Sequence, residues 1–217
     1  MRKLIKHLRP FIWSIVAIFV LLFGQAMSDL SLPSYMSRII NVGIQQSGIE
    51  NTVPQAIRAS ELSKLTLFMA DSEKTQVAAD YIFLDSQSLT PADYTQYLKS
   101  YPELANAPIY KLNTKDKTQT TQLDSIFGKY LPVVATIERG GAASLTGTPV
   151  QIPSGVDPFS VIGQLSPQQL ESLHDAILPQ LSSVSPSQLK LYSIAYISAE
   201  YKAIGINVSD IQTTYML

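Results

Sequence analysis

The stretch that decides the fold is residues 10–44, PFIWSIVAIFVLLFGQAMSDLSLPSYMSRIINVGI. From Pro10 to Ser28 it carries no charge, and about 20 helical residues of this kind cross a hydrocarbon layer of about 30 Å. Helix-compatible residues continue to Ile44. At about 1.5 Å per residue, a helix over the whole stretch reaches on the order of 50 Å, longer than the layer. Residues 10–44 therefore read as a transmembrane helix with an outward extension, and Pro33 is expected to kink it.

The flanks orient this helix. Residues 1–9 carry Arg2, Lys3, Lys6 and Arg9, whereas the far end of the apolar run meets Asp29. Basic residues beside a membrane helix stay cytoplasmic, so the N-terminus is expected inside and the chain from about residue 45 outside. Trp13 is placed like an interfacial anchor. Residues 1–7 read either as a short interfacial helix or as a solvated basic tail. A cleavable secretory signal is the rival reading, with an apolar core at residues 11–23, small residues Gly24 and Ala26, and a mature N-terminus near Met27. Trp13 and the helical pattern beyond Met27 oppose it.

Composition bounds the rest. The chain has 16 basic and 17 acidic residues; without the first four basic ones the balance is 12 against 17, or −5. That excludes a basic nucleic-acid surface, and no nucleic-acid partner is expected. There is no cysteine, so an external domain must be held by an ordinary apolar core rather than by disulfides or thiolate metal sites. Hydrophobic content of 46% and a mean hydropathy of +0.12 suit such a core and exclude a disordered tail.

The expected organisation is a basic segment at 1–9, the membrane helix and its extension at 10–44, an extracytoplasmic α+β domain at 45–208, and the start of a second membrane helix at 209–217. Within the domain, residues 53–69 carry a helical stripe (Ile57, Leu62, Leu65, Phe68) opened by Pro54. Residues 78–84 (AADYIFL) read as a strand. Thr90-Pro91 opens a helix with Asp93 in its first turn, with Tyr94, Tyr97, Leu98 and Tyr101 on its inner face and Pro102 as its stop. A second strand at 109–112 completes a strand-helix-strand unit. Residues 115–121 (KDKTQTT) read as an exposed turn or hairpin, and Pro132 is expected to break any helix in 123–137. Residues 138–155 read as a Gly- and Pro-containing loop without a phosphate-binding pattern. Ser166-Pro167 and Ser185-Pro186 each begin an S-P-x-Q capping box, predicting helices from Pro167 to about Leu178 and from Pro186 to about Ile204, the second closed by Gly205. Ser209-Asp210 is expected to cap one more helix. The fold class is thus a membrane-anchored α+β protein: one long N-terminal transmembrane helix plus a mainly helical external domain with a small sheet.

Candidate chemistry is sparse. Gln25 and Asp29 are four apart and share a helix face; ionisable groups in membrane helices usually face a protein interior or a wet path, so this pair reads as lining a translocation route or as ending the helix at the outer interface. Arg38 is expected to meet Asp29 or, more simply, lipid phosphates. His7 and His174 are too far apart in context to share a site, His174 being placed on a surface-type helix, and no ligand set has metal-binding spacing. No GxSxG element supports a hydrolase. Tyr81, Tyr94, Tyr97, Tyr101 and Tyr110 read as core and rim or, alternatively, as a recognition surface.

These residues carry a resemblance. Leu8-Arg9-Pro10, Asp29, Leu32-Pro33, Met36, Ile39-Ile40 and Gly43-Ile44 resemble the first transmembrane segment of bacterial ABC exporter permeases. Residues 200–217 resemble the approach to the second helix in those members with a large extracytoplasmic insertion between helices one and two. The resemblance implies a bacterial cell-membrane location, ATP-driven export of a drug, lipid or peptide, and an external domain that gates or receives substrate. Its partners would be the bilayer, the remaining transporter helices, a nucleotide-binding domain using ATP and Mg, and a homo- or heterodimeric second subunit. The 217 residues hold no Walker A, Walker B or LSGGQ-type segment, so the chain alone is expected to bind no cofactor and catalyse nothing, as an N-terminal portion of such a subunit would. A single-pass anchored binding or sensor domain and a secreted protein are the alternatives.

Overall fold

A computed structural model describes residues 12–140, 150, 152–153, 155–209 and 211. The chain is mostly helical, with a small three-stranded sheet and one long apolar N-terminal helix. This helix, α1, spans Ile12–Arg38 and continues as a π-helical segment over Ile39–Gln45. No residue of Ile12–Arg38 is buried, and its large apolar side chains point outward on every side, as at Phe19, Leu22, Phe23 and Leu30. Helical winding passes through Pro33 and changes only at Ile39. Ser47 and Gly48 then take left-handed φ of 53° and 78°, and the Gly48 N–H bonds back to the Val42 carbonyl at 2.8 Å. Such a six-residue return closes a helix and turns the chain away.

The sheet is β1 (Ala56–Arg58), β2 (Tyr81–Leu84) and β3 (Ile109–Leu112), in the order β1-β3-β2 with both pairs antiparallel. Tyr110 stands between Ile57 and Phe83, and Ile109 pairs with Leu84. Because side chains alternate across a strand, Ile57 and Tyr81 enter the main core while Ala56, Leu84 and Ile109 form a second, smaller cluster. That second cluster is covered by α4 (Pro91–Ser100), through Tyr94, Tyr97 and Leu98, and by the 3₁₀ turn Pro102–Ala105, through Leu104.

Helices α2 (Ala59–Phe68) and α3 (Asp71–Asp80) connect β1 to β2. After the sheet come α5 (Lys117–Gly140), the short α6 (Pro158–Ile162), α7 (Pro167–Ser182) and α8 (Pro186–Ile204). The spine of the core is α5. Leu123, Ile126, Phe127, Tyr130, Leu131, Val134 and Ile137 fall at three- and four-residue spacing and are all buried, the stripe that a core-facing helix requires. It packs on α2, α7 and, most extensively, α8.

Helix starts were the most legible signals. Thr90 accepts from the Asp93 N–H, Ser166 from Gln169 and Ser185 from Gln188, with each Gln side chain reciprocating. Gly205 closes α8 at φ 91°, where an added Cβ would lie 2.8 Å from the Pro102 ring.

Several expectations are corrected. Residues 56–58 are a strand before the helix begins, since β3 offers them a ladder. The strand expected from residue 78 starts at Tyr81, because Ala78–Asp80 end α3; this helix is opened by Glu73, which accepts the Ala70 N–H at 2.9 Å. Residues 117–121 are the first turns of α5 rather than a hairpin, with the Asp116 carboxylate accepting the Thr118 N–H at 2.6 Å. Pro132 sits inside α5 without ending it, and Pro179 likewise lies inside α7, which runs on to Ser182. Burial of Pro132 among the core side chains compensates for the one helical bond its ring removes. The expected loop at 138–155 begins later, α5 reaching Gly140. Residues 1–11, 141–149, 151, 154, 210 and 212–217 lie outside the described residues, so the basic N-terminal segment, Asp210 of the expected cap and most of the last expected helix are not placed; Val208, Ser209 and Ile211 are helical, so Ser209 lies within the helix, its N–H bonded to Asn207 Oδ1 at 3.1 Å.

Candidate functional site

Gln25, Asp29, Pro33 and Arg38 all lie on α1 with exposed side chains. The Arg38 guanidinium pairs with Glu50 at 2.7 Å, both side chains more than half exposed. The reversal at Ser47-Gly48 is what carries Glu50 back alongside Arg38.

Around Glu50 the domain's two ends meet. Lys190 near the start of α8 donates to the Glu50 carbonyl at 2.9 Å, and the Tyr201 hydroxyl accepts the Gln55 N–H at 2.7 Å. Ile49 and Val53, where the chain enters the domain, share a core with Val208 and Ile211, where it leaves. A cavity of about 490 Å³ marks the junction, lined by Ile49, Val53, Tyr101, Tyr201, Ile206 and Ile211. The described residues between Ile49 and Val208 thus start and finish beside the C-terminal end of the N-terminal helix.

Inside the domain a charged network ties β1, α2, α5 and α8 together. Arg58 holds Glu200 through Nε at 2.9 Å and a terminal nitrogen at 2.7 Å, and its own N–H donates to the same carboxylate at 2.8 Å. Lys64 bridges Glu61 at 2.9 Å and Glu138 at 2.6 Å, while the Tyr196 hydroxyl donates to Glu61 at 2.6 Å. Burial pushes the Glu61 carboxyl up, but the Tyr196 and Lys64 hydrogen bonds outweigh it and hold the group below the usual carboxylate range. Burial wins at Glu138, whose pKa is raised. Bonding to Glu200 raises Arg58 against its own desolvation. Arg58 and Glu200 are 142 positions apart; the one signal in the sequence is that each is the single charge in a short stretch, AIRA and YSIAYISAEY.

His174 is corrected from a surface position. Its side chain is 14% exposed, lies 5.8 Å from the Tyr130 ring, and has a buried Nε2 without a hydrogen-bond partner. The tyrosines do not form one surface either. Tyr81 is core, donating to the Pro54 carbonyl at 2.7 Å; Tyr94, Tyr97 and Tyr101 pad the smaller cluster; Tyr110 rests on Phe83. Among the described residues, no group of three or more His, Cys, Asp or Glu is placed to hold a metal ion.

No family model, curated protein or solved structure matches this chain.

Proposed function

We propose that the chain is the N-terminal portion of the permease subunit of an ATP-driven ABC exporter in a bacterial cell membrane. In this reading α1 is its first transmembrane helix, and the domain is an extracytoplasmic insertion before the second. The convergence of both ends of the domain on the outer end of α1 carries this reading, because an insertion between two adjacent spans must return the chain to where it left. The helix Ile12–Gln45 is long and apolar enough to cross a membrane, as a signal sequence also is. The Arg38–Glu50 pair and the Lys190 contact would fix the domain over the helix end, the position from which it can gate or receive an exported substrate. ATP and Mg would act in a nucleotide-binding domain supplied by other parts of the transporter.

Topology and continuation test this together. The chain has no cysteine, so single-cysteine variants K3C and T118C can be labelled on intact cells with a membrane-impermeant maleimide. Labelling of T118C alone is expected, and labelling of both or neither overturns the orientation. The coding sequence beyond Leu217 is expected to encode further apolar helices and a GxxxxGK[ST] segment. A stop directly after Leu217, with T118C labelled and Met1 retained, leaves a single-pass anchored domain instead.

A further inference from the structure

Lys64 on α2 stands between two carboxylates, Glu61 on its own helix at 2.9 Å and Glu138 near the end of α5 at 2.6 Å. Two carboxylates bonded to one ammonium are close neighbours, and a single lysine neutralises only one of them. The surroundings do not supply the missing charge. Arg58 on β1 is held by Glu200 on α8 at 2.7 Å and lies 3.6 Å from Glu61. Tyr196 on α8 meets Glu61 as a neutral donor, and the Phe159 ring of α6, 5.1 Å from the Lys64 ammonium, carries no charge. Arg139 is drawn away over the Tyr192 ring, 4.9 Å from its centre, and Glu103 in the 3₁₀ turn acts on Arg58 with a further negative charge. Where β1, α2, α5 and α8 meet, Glu61, Glu138 and Glu200 therefore face only Arg58 and Lys64.

The two carboxylates on Lys64 are not equivalent. Glu61 is buried and accepts from Tyr196 at 2.6 Å as well as from Lys64. Glu138 is bonded to Lys64 alone among the described residues, and its side chain is 32% exposed beside a cavity of about 290 Å³ between α5 and α8, so water reaches it. When two carboxylates crowd one site, the second ionises reluctantly, and the pair titrates as a unit. The proton settles on the member with fewer donors, whose hydroxyl then donates to the other. The directions agree: burial and the neighbouring Glu61 raise Glu138, whereas Tyr196 and Lys64 hold Glu61 down against its burial.

We propose that Glu61 and Glu138 share a proton in mildly acidic surroundings, clasping the C-terminal turn of α5 to α2, and that losing it towards neutral pH loosens the clasp. Because the Glu138 pKa is raised by folding, the folded chain binds this proton more tightly than the unfolded chain. The contribution to stability is complete below about pH 4.5 and is lost as the pH rises through the raised value. These groups all lie within the domain, so the clasp does not depend on the exporter reading.

Chemical denaturation of the full chain in detergent micelles from about pH 5 to about pH 8 tests it, with hydrogen exchange at the end of α5 followed at the same pH values. Glu138→Gln keeps the hydrogen bonds of the protonated acid without titrating. It should match the wild type at the acid end and be the more stable protein at the neutral end, by about tenfold in the unfolding constant for each unit by which the pair raises proton affinity. Its last α5 turn should exchange more slowly than that of the wild type near neutral pH, a same-pH comparison that cancels the intrinsic pH dependence of exchange. Glu61→Gln should move the wild-type transition to lower pH, which loss of a merely structural contact would not do. Exposed Glu50→Gln should follow the wild-type curve. A Glu138→Gln curve parallel to the wild type throughout, a Glu138→Gln variant less stable than the wild type at neutral pH, or an unmoved transition in Glu61→Gln overturns the proposal.

Discussion

The two longest α-helices, α1 and α5, are both rich in apolar residues and both contain a proline, yet their surroundings are opposite. Nothing in Ile12–Arg38 is buried, whereas α5 buries ten residues, on one face up to Phe127 and all the way round from Tyr130 to Ala135. The difference follows from where polar residues fall. Through Ser28, α1 is apolar around its whole circumference, so no face is marked for a core and the helix suits a hydrocarbon surround. In α5, exposed Ser125 and Lys129 fall between buried Leu123, Ile126, Phe127 and Tyr130 and mark one side for packing, and the apolar run from Tyr130 to Ala135 is enclosed by the neighbouring elements. The same contrast separates two ion pairs of equal length. Arg38–Glu50 and Arg58–Glu200 both close to 2.7 Å, but Glu50 is 60% exposed and Glu200 only 4%.

The contrast breaks first at the core. Phe127→Ala empties a fully buried site on α5 and is expected to cost the domain about 3–5 kcal/mol, read by chemical denaturation of the full chain in detergent. Phe19→Ala on α1 should leave that transition where it was. Equal effects would mean that the two helices share one cooperative core.

The ion pairs come next. Glu200→Gln leaves Arg58 with a neutral partner in the interior, and because the Arg58 side chain is 29% exposed the expected cost is about 2 kcal/mol rather than the full value for a dry pair. Glu50→Gln should change stability by less than about 0.5 kcal/mol. The double variant Arg58→Met/Glu200→Gln should recover part of the loss, which a double-mutant cycle measures.

A third comparison concerns Tyr130 on α5, whose hydroxyl donates to Glu73 at 2.6 Å. Burial would push the Glu73 carboxyl up, but the Tyr130 hydroxyl, the Ala70 N–H and Lys129 outweigh it and lower its pKa. With the folded value depressed, the unfolded chain binds the extra proton, so this contribution is complete above about pH 4.5 and is lost as the pH falls through the depressed value. Tyr130→Phe is expected to cost about 1 kcal/mol at neutral pH and to shift that acid loss to higher pH, followed by denaturation at a series of pH values.

Local chemistry was readable wherever one residue acts on its immediate neighbours. Thr90, Ser166, Ser185 and Gly205 mark helix ends because capping spans three or four positions. The same locality misled at Pro132 and at residues 117–121, where proline and polar composition speak for a break but packing against α8 and the Asp116 cap decide otherwise. Of the candidate site residues, Arg38 could not be paired from sequence, because its partner is delivered by a backbone reversal at Ser47-Gly48. His174 gave no sign of its burial, which depends on Tyr130 arriving from another helix.

By itself, the sequence determined that an apolar helix of membrane-spanning length lies within residues 10–44, where the capped helices begin, and that the rest can bury a core without disulfides. Those properties depend on composition and short-range spacing. Only the tertiary structure decided that β3 sits between β1 and β2, that Arg58 finds Glu200, that Glu61 and Glu138 meet at Lys64, and that the domain's two ends meet at Glu50. These depend on contacts between residues far apart in the chain, and which of many such contacts form is settled by the packing of the whole domain.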